Sequence, residues 1–259
     1  MASLREQPRS AFRSNLAKVN MPKTMFAVFS IVLLSGCDIN INRNRVSTGE
    51  TMHETKVIEN EKFEMARVEI KMGVGELKVE GGSPKLLEGD FVYNVPAWKP
   101  IVESHSASFR ADIKIAQPEG ISASGNTDYK WNLRLNDNLP MNVITHLGAG
   151  QAEMNLGSMD LQNVEVHMGV GELKLDLRGQ PKRDYNVDIK GGVGEATVYL
   201  PNNDNTGIVA TASGGIGDIH VDGLEHQGGR WVSRSYDRAP ILIRVDVKGG
   251  VGDIKLIAQ

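Results

Sequence analysis

Apolar and polar residues alternate along most of the chain, and the alternation changes phase six times. Before Gly169 the apolar positions are Val164, Val166 and Met168, all even, whereas after it they are Leu173, Leu175 and Leu177, all odd. The same switch accompanies every copy of one short motif. The copies are GVGE at Gly73–Glu76, GAGQ at Gly148–Gln151, GVGE at Gly169–Glu172, GVGE at Gly192–Glu195, GIGD at Gly215–Asp218 and GVGD at Gly250–Asp253. Alternation with period two predicts strands with one buried face. A one-residue slip would turn every later side chain to the wrong face. The chain must therefore bend or bulge at each switch, and glycine permits this. The pairs Gly73 and Gly75, Gly148 and Gly150, Gly169 and Gly171, Gly192 and Gly194, Gly215 and Gly217, and Gly250 and Gly252 read as structural corners. The central Val, Ile or Ala of each corner is expected to point inward.

Successive motifs lie 75, 21, 23, 23 and 35 residues apart. Regular periods of this size predict a stacked array. The expected fold is all-β, a parallel β-solenoid of short strands with Gly-rich corners, and the first gap has room for about three further rungs. The last interval exceeds its neighbours, and its surplus lies in Gly223–Pro240, which holds Arg230, Trp231, Arg234, Tyr236 and Arg238. Arg, Trp and Tyr are favoured at binding hot spots, so these five are candidate partner-binding residues. The same arm could cap the stack. The final strand, DIKLIA, is expected to leave an open edge. Either the arm covers that edge, with Trp231 against Ile254 or Leu256, or a partner adds a strand there.

Composition narrows the function. Aromatic residues make up 5% of the 259 positions and there are 28 glycines, which suits strands and turns better than a helix bundle. The formal charge is −3. No basic run lies beyond the N-terminal region, which argues against nucleic-acid binding. With one cysteine the chain has neither a disulfide framework nor a cysteine zinc site.

That cysteine closes the stretch MFAVFSIVLLSGC, Met25–Cys37, which follows Arg5, Arg9, Arg13, Lys18 and Lys23. A basic leader before a short apolar run reads as a secretory signal peptide. It falls short of the roughly 20 apolar residues of a membrane span. Leu34, Ser35, Gly36 and Cys37 match the lipobox, so the segment resembles a bacterial lipoprotein signal. That resemblance implies diacylglycerol on Cys37 and removal of the leader before it; two or more acyl chains anchor stably where one is marginal. The domain reading is a signal peptide over 1–37, a polar tether over 38–56 and the solenoid over 57–259. The leader holds five of the 29 basic residues and one of the 32 acidic ones, so the body without it carries 24 against 31, or −7.

The stretch from Trp131 to Leu177 resembles the toast-rack and LiaF-like C-terminal domains and the related adhesin-like domains of bacteria. The strand at Trp131, the Leu139-Pro140 step, the GAG and GVG corners, and the closing segments DLRG (Asp176–Gly179) and YLP (Tyr199–Pro201) carry it. Residues 126–259 match best, with a weaker match back to Met65. The resemblance implies a β-solenoid-like stack, links to envelope-stress sensing or surface adhesion, and no catalytic residues. LiaF-like proteins carry this domain after several membrane helices, whereas here a lipid anchor takes their place.

Candidate chemistry is sparse. Glu76, Glu172, Glu195, Asp218 and Asp253 fall on the outward parity after the corners, and Lys71, His146, His167, Lys190, Ser213 and Lys248 do so before them. Stacked rungs would set each group in a column near 4.8 Å spacing. His146 and His167 would sit on neighbouring rungs, where a borderline metal could be held. Outward histidines read instead as polar surface, and neither a metal nor a cofactor is expected. The toxin calcium repeat is tandem with nine-residue copies, and a dinucleotide loop needs a helix after its glycines. Neither pattern is present, nor is a P-loop or a nucleophile elbow. The expected protein is a non-enzymatic, lipid-anchored component of the bacterial cell envelope, facing the periplasm or exterior. It would present its solenoid to an envelope protein partner, with envelope-stress regulation as a setting. The alternative is a surface adhesin or glycan-binding module.

Overall fold

The computed structural model describes residues 44–61 and 63–259. Apart from a 3-10 turn at Pro96–Trp98, the regular structure among these residues is strand. The first eight strands are β1 (Asn44–Ser47), β2 (Met52–Ile58), β3 (Met65–Ser83), β4 (Leu87–Tyr93), β5 (Ile101–Ala107), β6 (Arg110–Ala116), β7 (Ile121–Ser124) and β8 (Tyr129–Asn136). Next come β9 (Met141–Asn155), β10 (Leu161–Asp176), β11 (Tyr185–Leu200), β12 (Thr206–Ser213), β13 (Ile219–Asp222), β14 (Glu225–Gln227), β15 (Arg230–Val232), β16 (Ile241–Lys248) and β17 (Ile254–Ala258).

Strands β3, β9, β10 and β11 run through their glycine corners and pair in parallel, each motif in register with the next. β10 has 16 residues and would reach ~53 Å if straight. The eight-residue return to β11, at most ~29 Å long, can close a rung only if the strand folds back on itself. The bend at Gly169–Gly171 supplies that. Val164, Val166 and Met168 from one limb and Leu173 and Leu175 from the other are all buried. Each such side chain contributes about 1.5–3 kcal/mol by leaving water. The result is the expected parallel β-solenoid, filled by a continuous aliphatic core.

The corner itself differs from the expectation in one respect. Val74, Val170, Val193, Ile216 and Val251 are 38%, 53%, 50%, 71% and 44% exposed, so the central residue points outward. On the convex side of a bend several consecutive positions lose contact with the interior. Met168 and Leu173, approaching from the two limbs, already fill the space beneath. The glycines are required by the stacking. At Gly171 φ is +140°, and a Cβ there would stand 1.8 Å from the carbonyl oxygen of Gly150 on the rung below.

The stack does not follow chain order at its C-terminal end. β16 and β17 insert between β11 and the rung formed by β12 and β13. The long last interval is therefore a crossover. Within it β14 and β15 form a hairpin on the outer edge of β12. β17 is paired on both sides, with β11 and β13, so the open edge expected at DIKLIA is not there.

The 75-residue interval holds one further rung, split between β6 and β8, where about three were expected. β3 pairs directly with β9. β6 pairs in parallel with the limb of β3 before its corner and β8 with the limb after it; beyond them β5, and then β4 and β2, are added in antiparallel pairing. These strands lack the Gly-x-Gly corner and so turn back as meanders. The tether expected over 38–56 gives way to strand from Asn44: β1 pairs with β7, and β2 pairs with β4. Among the described residues β2 has a single neighbour and is mostly exposed, which explains why its sequence resembles linker.

Candidate functional site

In-register stacking converts the repeat into long columns of like residues. One limb presents Lys71, His146, His167, Lys190, Lys248 and Ser213 on successive rungs. Across the corner lie Glu76, Gln151, Glu172, Glu195, Asp253 and Asp218. Repulsion within columns is offset along each strand, where charges two residues apart pair: Lys71 with Glu69 at 3.0 Å, and Lys78 with Glu80 at 3.0 Å. Glu195 receives hydrogen bonds from Lys255 at 2.7 Å and Thr197 at 3.1 Å. The Lys255 ammonium holds its carboxyl below the usual glutamate range. Lys248 and then Thr211 do the same for Asp246. Exposed pairs of this kind contribute about 0–1 kcal/mol each.

His146 and His167 do meet on neighbouring rungs, their rings stacked at 4.9 Å with 9° between planes. Partial burial, and then the charge of His167, push the imidazole of His146 below its ordinary value. Their nearest carboxylates, Glu69 and Glu165, lie 3.9 Å from the respective Nε2 atoms. In-plane lone pairs on parallel rings this far apart cannot converge on one ion at about 2.0–2.1 Å from each nitrogen. Among the described residues no group of three or more His, Cys, Asp or Glu is placed to hold a metal.

Beside this pair an open cleft of about 970 Å³ runs between the 117–121 segment and the corner of β3. Gln117 Oε1 accepts hydrogen bonds from the backbone N–H groups of Gly73 and Val74, at 2.7 and 3.1 Å. Its side chain thus takes over at the bend, between the segments where β6 and β8 supply ladder bonds. Trp98 lines the cleft but is itself buried, donating from Nε1 to the Ile121 carbonyl at 3.2 Å. It belongs to an aromatic cluster with Tyr129, Trp131 and Phe91, whose rings follow one another at 5.4–5.5 Å. Burial raises the Tyr129 phenol above its ordinary value, and its hydroxyl donates to the Trp98 carbonyl at 2.7 Å.

The five arm residues are brought together only in part. Arg230 lies over the Tyr236 ring at 5.0 Å, and Trp231 packs edge-on against His226 at 5.5 Å. Trp231 stands opposite Ala210 of β12 in the ladder, instead of against the last strand. Arg234 and Arg238 are exposed, with Glu225 and Asp204 each 3.6 Å away. Buried Ser233 and Ser235 lock the arm: Ser233 Oγ accepts from the Ile208 N–H at 3.0 Å, and Ser235 Oγ donates to the Thr206 carbonyl at 2.6 Å. Their signal in sequence is a pair of small polar residues inside an otherwise bulky arm.

The second glycine of each motif, Gly75, Gly150, Gly171, Gly194, Gly217 and Gly252, has a positive φ, whereas Leu34, Ser35, Gly36 and Cys37 lie outside the described residues. Among those described, no helix is long and apolar enough to cross a membrane. The exposed row Val74, Val170, Val193, Ile216 and Val251 is the surface feature that parity counting missed. Its signal was the same bulky aliphatic residue recurring between two glycines.

Comparison with known proteins places this architecture. A solved structure of a candidate cell adhesion protein from Clostridium sporogenes ATCC 15579 is 31% identical, with a TM-score of 0.78, covering 81% of this chain and all of that one. A candidate adhesin from Bacteroides fragilis NCTC 9343 is 9% identical, covering 82% of this chain and 99% of its own, with a TM-score of 0.34, too distant to carry an argument. No curated protein matches the chain. The family model described as the N-terminal domain of toast_rack, DUF2154, matches residues 47–199. With that match over more than half of its length, the chain belongs to the toast-rack family.

Proposed function

We propose that this protein is a non-enzymatic, lipid-anchored component of the bacterial cell envelope that presents its solenoid to a protein partner in adhesion. The observation that carries the reading is the similarity to a candidate cell adhesion protein over the whole length of that chain. The lipobox at Leu34–Cys37 supports the anchor, and the likeness of residues 126–259 to LiaF-like domains supports a setting in envelope-stress regulation. The exposed Arg234 and Arg238 form the tip offered to an acidic partner. A protein partner fits better than a glycan, because sugars are commonly held on rows of exposed aromatic faces, whereas Phe91, Trp98, Tyr129 and Trp131 are buried and Phe109 is the one aromatic among the exposed large hydrophobic side chains of the described residues.

Two measurements test this. Labelled fatty acid should enter the wild-type chain and not Cys37→Ala; equal labelling of both rejects the anchor. Arg234→Glu with Arg238→Glu should keep the melting temperature and abolish retention of envelope proteins on the immobilised chain. Unchanged retention rejects the tip as the recognition element.

A further inference from the structure

The outward residues of the six corners form one continuous ridge: Val74, Ala149, Val170, Val193, Val251 and Ile216 stand in register on consecutive rungs. All except Ala149 are large aliphatic side chains more than one-third exposed. At about 4.8 Å per rung the ridge is ~24 Å long. The core has no use for these side chains. The bend needs only the flanking glycines, so a polar residue at each position would serve the fold as well.

The two flanks of the ridge carry opposite charge. Three residues before each central residue stand Lys71, His146, His167, Lys190, Lys248 and Ser213, and two after it stand Glu76, Gln151, Glu172, Glu195, Asp253 and Asp218. The row nearest the apolar line is basic on one side and acidic on the other, each backed two residues farther out by paired opposite charges, Glu69 on Lys71, Asp246 on Lys248 and Lys255 on Glu195; the two inner rows make the line complementary to itself. We propose that the ridge is a self-association surface on which a second copy of this chain docks, related by a two-fold axis running parallel to the ridge. That operation sets the basic bank of one copy against the acidic bank of the other at the same rung, so that His167 faces the partner's Glu172. A two-fold perpendicular to the ridge within the interface would set acid against acid and base against base, and would be repelled. An anionic lipid surface would be repelled by the acidic bank.

Size sets the strength. The strip between the two banks spans five residue steps of bent chain, ~16 Å, so each copy contributes roughly 400 Å² and the pair under ~1,000 Å². This is below the size of a standard stable interface, so the dimer is weak and reversible, with a dissociation constant of about 1–100 µM.

Sedimentation velocity of the full chain in non-ionic detergent, over a concentration series, should show a monomer–dimer equilibrium in that range. Val170→Gln with Val193→Gln should raise the dissociation constant at least tenfold at unchanged melting temperature, because both side chains are already in solvent. Glu172→Lys should weaken the dimer similarly, and His167→Glu added to it should restore the affinity by reversing the charge order on both sides of that rung. Val193→Cys should form a disulfide between the two copies of residue 193, located by peptide mass spectrometry and so distinguished from any link through Cys37. A chain that stays monomeric at every concentration overturns the proposal. So does a dimer indifferent to the ridge substitutions, or a double variant that fails to recover. A monomer that floats with phosphatidylglycerol vesicles in a ridge-dependent way assigns the ridge to lipid and overturns it as well.

Discussion

Gly171→Ala tests the corner geometry directly. The residue sits at φ +140°, a region that costs a side-chain-bearing residue about 1–3 kcal/mol. The added Cβ would lie 1.8 Å from the Gly150 carbonyl oxygen, well inside contact distance, and the obstacle is backbone that cannot swing away. The rungs must part locally, at a further cost of one or two ladder hydrogen bonds of about 1 kcal/mol each. The expected loss is about 2–5 kcal/mol, a fall in melting temperature of at least ~4 °C for a domain of this size. Two other glycines divide the effect. Gly148 lacks the positive φ, but a Cβ there would lie 2.4 Å from the Gly73 carbonyl oxygen, so Gly148→Ala isolates the stacking part and should fall between. Gly191 has an ordinary φ and nothing within 4 Å of a built Cβ, so Gly191→Ala should be neutral or stabilising by up to about 1 kcal/mol. Denaturant melts of the three variants decide the matter. Equal stability of Gly171→Ala and Gly191→Ala would refute the argument, because nothing but conformation and stacking separates them.

Thr145 lies in the core column between Ile70 and Val166, fully buried, with no hydrogen-bond partner for its Oγ1 among the described residues; Thr145→Val should stabilise the fold by about 1 kcal/mol in the same melts. Ser233→Ala strands the buried Ile208 N–H and should cost about 1–3 kcal/mol, with hydrogen exchange accelerating at Ile208 before the rest of β12. Glu69, Glu195 and Asp246 are held below their ordinary values, chiefly by hydrogen bonds from Lys71, Lys255 and Lys248 respectively. Their contribution is complete above the ordinary glutamate value of 4.5 and is lost as pH falls through the lower folded-state values, which urea midpoints in acid will show. His146 is shifted below its ordinary 6.5, so the unfolded chain takes up the proton first and stability should decline as pH drops past that value towards the lower folded-state one; His146→Asn should flatten this decline.

Local pattern determined much of this protein by itself. Alternation with six phase slips specifies strands, corners and a parallel stack, because burial in a pleated chain has a period of two and glycine alone tolerates the slip. The neighbourhood of His146 and His167 follows from the same repeat: residues equivalent in the period become neighbours in register. What tertiary structure decided is whatever depends on which strand lies beside which. Chain order suggested that β17 ended the stack, yet β16 and β17 sit inside it and β12 with β13 form the outer rung. Nothing local distinguishes the two orders, since every rung offers the same register to either neighbour. The 75-residue interval alternates as rungs do: β6 and β8 add one parallel rung beside β3 without a glycine corner, and beyond it β5, β4 and β2 turn back as antiparallel strands. The direction of Val74, Val170, Val193, Val251 and Ile216 was decided by the curvature of the bend. Parity tells which face of a strand a residue takes, but at a convex corner both faces open to solvent.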